Sequence, residues 1–143
     1  MNYLFVYGSL KSKKVQKELF GRELKSYEAK LNNYGLYEAE DGFYFIKKEQ
    51  NSIIEGKLLE MTDLDLKISD AFEFCPQMYC RELINITVEN EVREVYVYIR
   101  CDDVGKYKKV ERNDTYSKLT EDEFIATEVK EFKEKEHPEF YKY

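Results

Sequence analysis

Apolar residues switch between strand-like and helix-like spacing along the chain. Residues 3–7 (YLFVY) form a short apolar run that stops at Gly8, which predicts a buried strand ending in a tight turn. Residues 12–20 then have apolar positions at helical spacing, followed by Gly21 as a stop signal. The pattern therefore predicts an opening of strand, turn and short helix.

The middle of the chain changes from strand to helix. Residues 27–37, 42–46 and 52–60 have the composition of strands and are separated by turn residues. Residues 62–74 then carry apolar side chains at helical intervals. Pro76 disfavours helical angles at the residue before it, so we expect this helix to end near residue 74.

Two alternating segments predict an antiparallel hairpin. Residues 81–88 and 92–100 each alternate apolar and polar side chains, with a short polar turn between them. Residues 102–118 are polar and predict a surface loop, and residues 119–143 predict a C-terminal helix and tail. That helix starts with a capping box at Thr120.

The order and proportion of these elements favour one α+β domain over residues 1–143, built around a curved or barrel-like sheet. The 23 Lys and Arg and the 29 Asp and Glu leave a net charge of −6, which provides no electrostatic footprint for nucleic acid. His137 is the only histidine, which argues against HExxH zinc sites and most Ser-His-Asp triads. We therefore expect chemistry from carboxylates, tyrosines or backbone amides, with no metal and no cofactor.

Cysteine usage and the N-terminal composition predict a cytoplasmic location. Cys75, Cys80 and Cys101 are odd in number and form no CxxC motif, so we expect free thiols in a reducing compartment. The first residues have no basic start and no long apolar stretch, so no signal peptide is expected. No apolar run reaches the roughly 20 residues of a membrane span, and no membrane partner is expected. The oligomeric state is left open.

Residues 6–10 (VYGSL) form the first candidate site. A strand that ends at Gly8 and leads into a helix exposes unpaired backbone N–H groups, which can hold a carboxylate, a phosphate or an oxyanion. A plain strand-to-helix turn remains an alternative. So does a site for anions or nucleotides that also uses Lys11, Lys13 and Lys14.

Glu73 is the second candidate, at the end of the predicted helix and between Phe72 and Phe74. Burial, the negative end of the helix dipole and like-charge repulsion from Asp70 would all raise its pKa. A carboxyl group that titrates near neutrality suits general acid–base catalysis. The alternative is a surface carboxylate at a frayed helix end.

Arg81, in the segment Tyr79-Cys80-Arg81, is the third candidate. Its guanidinium can pair with a carboxylate of a ligand or of the protein itself. A structural salt bridge is therefore the alternative to a binding role.

Taken in order, several motifs resemble the γ-glutamylcyclotransferase-like family, in its small AIG2-like branch. No one motif is specific, but their ordered combination spans roughly residues 3 to 100. The motifs are VYGSL at 6–10, YGLY at 34–37, IEGKLLE at 54–60, D-x-x-E at Asp70 and Glu73, Y-x-R at Tyr79 and Arg81, and VYVY at 95–98.

The resemblance implies a mixed, mainly antiparallel, closed or nearly closed β-barrel with flanking helices. It also implies a reaction in which a γ-glutamyl amine attacks its own γ-carbonyl, giving 5-oxoproline and a free amine or amino acid. In this reading Glu73 is the catalytic acid and base, without a metal. The residues implied in substrate binding are Tyr7, Gly8, Ser9, Leu10, Tyr79 and Arg81.

The chain departs from the family pattern around the glutamate. Phe74 follows Glu73 where the family usually has glycine, and Ser69 precedes Asp70 where the family usually has leucine. The large ring implies a narrower or differently aimed pocket. A non-catalytic module on the same fold, which binds a small ligand or a protein, is the alternative function.

Overall fold

The fold is taken from a computed structural model, of which residues 1–110 and 119–141 are described. Six strands of these residues form one sheet. They are β1 (Asn2–Val6), β2 (Ser26–Ala39), β3 (Tyr44–Met61), β4 (Tyr79–Val88), β5 (Glu91–Arg100) and β6 (Tyr107–Lys109). Three α-helical segments accompany the sheet, α1 (Lys13–Phe20), α2 (Asp63–Phe72) and α3 (Glu121–Phe124).

The α+β class is confirmed, whereas a closed or nearly closed barrel is wrong. The strand order is β4-β5-β1-β3-β2-β6, and among these described strands only the β1–β5 pair is parallel. The sheet curls into a half-barrel, but β4 and β6 stand at opposite edges and do not pair with each other. Closure requires the two edge strands to hydrogen-bond, and β6 has only three residues.

β1 explains why the first apolar run does not alternate with polar residues. This strand lies between β5 and β3, and its neighbouring residues Leu4 and Phe5 are both fully buried. Because successive strand side chains point to opposite faces, Leu4 packs into the core that includes the helices, and Phe5 packs into a second core between the strands. A strand buried on both faces has an uninterrupted apolar sequence.

β3 corrects the prediction of separate strands at 42–46 and 52–60. It is one strand of 18 residues, hydrogen-bonded along most of its length to β2. In the polar stretch between the two predicted strands, Lys47 and Lys48 pair with β2, whereas residues 49–52 have no ladder partner among the described residues and lie opposite an irregularity between Asn32 and Tyr34. The strand continues through this irregularity, which an apolar pattern cannot reveal.

The helix boundaries follow the capping signals. Gly21 ends α1 in the left-handed region at φ 77°, as its position predicted. Thr62 and Asp65 form a capping box at the start of α2, and Thr120 forms another at the start of α3. α2 ends at Phe72, two residues earlier than expected. The last helix continues beyond α3 through the π-helical segments Ile125–Val129 and Phe132–Glu136.

The predicted surface loop 102–118 is partly a strand, because β6 pairs with the end of β2. Residues 111–118 of that loop lie outside the described residues. The C-terminal tail contains a 3₁₀ turn, Pro138–Phe140. The Tyr141 hydroxyl then donates a hydrogen bond to the carbonyl of Leu19, 2.8 Å away, so this part of the tail packs on α1.

The expectation of free thiols is wrong for two of the three cysteines. Cys80 and Cys101 form a disulfide, and Cys75 is free. The pairing of β4 with β5 places Cys80 opposite Ile99, so Cys101 lies just beyond the same end of the hairpin. The 21-residue separation contains no CxxC signal, and only strand pairing brings the two sulfurs together.

Candidate active site

A cavity of about 370 Å³ lies at the end of β1. The β2–β3 turn, the end of α2 and the last helix complete its wall. Most of the residues chosen from the sequence line it, and Arg81 does not. The lining members of that set are Tyr7, Gly8, Ser9, Leu10, Glu73 and Tyr79.

The corner after β1 exposes backbone donors to this cavity. A short 3₁₀ turn, Ser9–Lys11, follows the strand, and the N–H of Lys11 donates to the carbonyl of Gly8. Within the described residues, the N–H groups of Gly8, Ser9 and Leu10 have no hydrogen-bond acceptor in the protein. A Cβ atom added at Gly8 would meet no atom within 4 Å, so the backbone faces open space. A ligand oxygen can therefore approach these amides closely.

Glu73 lies at the C-cap of α2, where its backbone N–H donates to the carbonyl of Ser69. Its side chain has no hydrogen-bond or ion-pair partner within the described part of the chain. Burial raises the pKa of its carboxyl group from 4.5 to about 7. Desolvation penalises the ionised carboxylate, and no cation nearby offsets that penalty. The group is therefore poised to take up or release a proton near neutral pH.

Three buried tyrosines surround this carboxyl group. Burial is the main cause that raises the pKa of Tyr7, Tyr79 and Tyr98, and the charge of Glu73 raises each one further. The hydroxyl of Tyr7 donates to the carbonyl of Tyr98 at 2.7 Å. The hydroxyl of Tyr79 donates to the carbonyl of Tyr44. These phenols stay neutral, and the hydrogen bonds of Tyr7 and Tyr79 link the end of β1 to β5 and β4 to β3 around the cavity.

Asp70 and Arg81 form an ion pair that supports the residues of the site. The Tyr98 hydroxyl donates to Asp70 Oδ1 at 2.6 Å, and Arg81 Nε lies 3.0 Å from the same oxygen. The Arg81 guanidinium also stacks 4.3 Å from the Tyr96 ring centroid. Arg81 thus forms a structural salt bridge, which the sequence analysis gave as the alternative to a binding role. Burial is the cause of the raised pKa of Glu73, and the repulsion from Asp70 that the sequence led us to expect is not among its causes.

Several lining residues were not identified from the sequence. Tyr98 is the one that the pattern could have indicated, since it alternates with the apolar residues of β5. Phe43 lies in the β2–β3 turn, and Phe124 and Phe132 lie on the last helix. No local signal predicts that these distant segments meet at the end of β1.

Phe74 has a backbone conformation that suits glycine, the residue that the resemblance implies at this position. Its φ of 52° lies in the left-handed region, where a side chain costs roughly 1–2 kcal/mol. The ring lines the cavity and is 48% exposed, so it stands at the mouth. The expectation that this ring narrows the pocket stays a prediction.

A sequence model of the family described as "Gamma-glutamyl cyclotransferase, AIG2-like" matches residues 4–119. The chain belongs to this family. A protein of Methanocaldococcus jannaschii, named "Gamma-glutamylcyclotransferase and putative RNase MJ0434", is 34% identical over 100 residues. Those residues are 68% of this chain and 45% of that protein, so the match spans less than half the length of that relative.

Solved structures share the fold. A protein of Arabidopsis thaliana has a TM-score of 0.62 and 20% identity, with 96% of this chain and 81% of that chain covered. A structure described as "Gamma-glutamyl cyclotransferase" has a TM-score of 0.60 and 12% identity, with 76% and 69% covered. At these identities the likeness concerns the fold alone. Within the described residues, no helix has the length and apolar character needed to cross a membrane.

Proposed function

We propose that this chain is an enzyme that cleaves a γ-glutamyl amine by intramolecular attack. The products are 5-oxoproline and a free amine or amino acid, and the reaction uses no metal. The observation that carries the proposal is an unpartnered Glu73 carboxyl group with a pKa of about 7, in one cavity with the free amides of residues 8–10.

Glu73 is suited to both proton transfers. The α-amine of the substrate has an ordinary pKa of about 8 and is mostly protonated at neutral pH. An ionised Glu73 accepts its proton, and the neutral amine then attacks the γ-carbonyl carbon. The protonated Glu73 returns that proton to the departing amine as the C–N bond breaks. The ionised Glu73 then accepts the second proton of the attacking nitrogen, which leaves the neutral lactam, and passes it to the released amine, which departs as an ammonium group. A single group can accept and return these protons because its pKa lies close to the working pH.

The amides of Gly8, Ser9 and Leu10 suit the negative charge of the tetrahedral intermediate. An oxyanion donor of this kind contributes roughly 3–4 kcal/mol to the transition state. The nucleophile and the carbonyl belong to the same molecule, so no second substrate site is needed. Tyr7 and Tyr79 position the walls of the cavity through their own hydrogen bonds.

The test is turnover of γ-glutamyl amines, followed by the formation of 5-oxoproline. We expect Glu73→Gln to abolish turnover and to keep the folded far-UV spectrum. Glu82→Gln is the matched control, because Glu82 is an exposed glutamate on β4. Undiminished turnover by Glu73→Gln would remove Glu73 from the mechanism. Tight ligand binding without any product would favour the non-catalytic module instead.

A cytoplasmic location is also a proposal, and the Cys80–Cys101 disulfide bears on it. Cytosolic proteins seldom keep disulfides, because the thiol pool reduces them. Alkylation of freshly lysed cells, followed by mass spectrometry, tests the location. Three alkylated cysteines in the protein would agree with the cytoplasm, and a retained disulfide would point to an oxidising compartment.

A further inference from the structure

The wall of the cavity beyond Glu73 comes from the last helix. Phe124, Glu128, Phe132 and Glu136 line the cavity, and they recur at intervals of four residues. Residues four apart lie on the same side of a helix, so one stripe of alternating rings and carboxylates faces the cavity. Phe124 and Phe132 are buried, whereas Glu128 and Glu136 are exposed. The stripe thus has an apolar inner part and acidic groups towards the solvent.

Two further rings stand opposite at the mouth. Phe43, in the β2–β3 turn, is 39% exposed, and Phe74 is 48% exposed. Large apolar side chains that stay exposed at the mouth of a cavity are typical of a ligand-binding surface. The rings provide apolar contact for an alkyl chain, and their faces attract a cation.

The charged side chains of the described residues that line the cavity are all acidic. Four carboxylates line the cavity, and among them Asp41 is paired with Arg100 at 3.0 Å. Glu128 and Glu136 have no ion-pair partner within residues 1–110 and 119–141. No lysine or arginine of that part of the chain lines the cavity. Lys133, on the same helix, pairs instead with Glu18 at 3.5 Å.

From this composition we infer the class of amine that leaves. The structure points to a γ-glutamyl diamine, whose γ-glutamyl nitrogen continues into a short alkyl chain that ends in an ammonium group. The alkyl chain lies among the phenylalanine rings, and the ammonium faces the acidic side of the last helix, which carries Glu128 and Glu136. A leaving amine that ends in a carboxylate would be repelled there, and it would find no lysine or arginine among the described residues that line the cavity. This inference rests on the proposed cyclotransferase function.

The reaction remains balanced for this substrate. The α-amine of the glutamyl group forms a new C–N bond to the γ-carbon, and the γ-amide C–N bond breaks. The α-ammonium group loses two protons in turn, and both go through Glu73 to the departing nitrogen, which leaves as an ammonium group. The products are 5-oxoproline and a diamine, and no water, oxidant or other reactant is consumed.

Three probes of equal length test the selectivity. They are γ-glutamyl-diaminobutane, γ-glutamyl-butylamine and γ-glutamyl-aminobutyrate, whose far ends are cationic, neutral and anionic. Binding to Glu73→Gln is measured by calorimetry at low and at high salt, so the result does not depend on turnover. We expect the cationic probe to bind about tenfold more tightly than the neutral one, with a difference that shrinks at high salt. The anionic probe should bind most weakly.

Two double variants identify the residues responsible. Glu128→Gln with Glu136→Gln should reduce the tenfold preference for the cationic probe to about twofold or less. Glu131→Gln with Glu134→Gln removes the same charge from exposed positions on the same helix that do not line the cavity, and it should keep most of the preference. An equal loss of the preference for the cationic probe in both double variants would mean that only the net charge of the protein matters. That result would overturn the assignment.

The remaining outcomes separate the inference from the proposed function. Equal binding of the three probes, tighter binding of the anionic probe or no binding at all would overturn the inference. Selective binding of the cationic probe without release of 5-oxoproline by the unsubstituted protein would refute the cyclotransferase and leave the assigned ligand class standing. Release of 5-oxoproline without selectivity for the cationic probe would support the cyclotransferase and overturn the assigned ligand class.

Discussion

Replacing Glu73 by glutamine should change how stability depends on pH. In the unfolded chain this carboxyl group titrates near 4.5, whereas burial raises its pKa to about 7 in the folded protein. Each pKa unit is worth about 1.4 kcal/mol, so the ionised form is penalised by roughly 3 kcal/mol in the folded state. The amide of the Glu73→Gln variant does not titrate and does not carry that penalty.

The sign follows from linkage. Below about pH 4.5 the group is protonated in both states, and its contribution to stability is fully present. Between about pH 4.5 and about pH 7 the unfolded chain ionises while the folded protein keeps its proton, so stability is lost as the pH rises. The free energy of unfolding of Glu73→Gln should therefore exceed that of the unsubstituted protein by roughly 3 kcal/mol more at about pH 8 than at about pH 4.5.

Urea unfolding at several pH values measures this difference. The control Glu82→Gln removes an exposed glutamate, and its stability should follow the pH dependence of the unsubstituted protein. Parallel curves for Glu73→Gln and the unsubstituted protein would refute the reasoning, because they would mean that Glu73 is solvated in the folded state. The turnover of the unsubstituted protein should also rise through about pH 7 as Glu73 ionises.

Three further substitutions probe other parts of the site. Gly8→Ala should leave the unfolding free energy unchanged within about 0.5 kcal/mol and lower kcat/KM by up to about 100-fold, because its methyl group enters the cavity. Its control, Gly21→Ala, should lower the unfolding free energy by about 1 kcal/mol, because Gly21 is the left-handed cap of α1, and should keep kcat/KM. Replacing Cys80 and Cys101 together by serine should lower the urea-unfolding free energy by about 3 kcal/mol, since their disulfide joins residues 21 apart, and no loss would argue that the thiols are reduced. Phe74→Gly relieves a left-handed φ of 52° and should stabilise the protein by up to about 1 kcal/mol in urea unfolding, whereas a clear loss would mean that packing of the ring dominates.

The stability and the turnover of the two glycine variants separate an effect on the shape of the cavity from an effect on folding. A fall in the stability of Gly8→Ala would contradict the open space found at that position. A fall in turnover of Gly21→Ala would link the cap of α1 to the site, where the structure shows no direct contact.

The sequence alone predicted the parts of the fold that depend on neighbouring residues. The apolar run of β1, the capping box at Thr120, the stop at Gly21 and the β4–β5 hairpin are all confirmed. Each one rests on interactions between residues a few positions apart. Sequence motifs also identified the family, because their order reflects common ancestry rather than a local interaction.

Tertiary structure decided which groups meet. The sequence could not show that the sheet stays open, that Cys80 joins Cys101, or that Arg81 pairs with Asp70. It also placed no part of the last helix at the cavity, although Phe132 lies there beside residues from β1 and α2. A carboxyl group gains an unusual pKa only when distant segments exclude water from it, and that exclusion is a property of the folded chain.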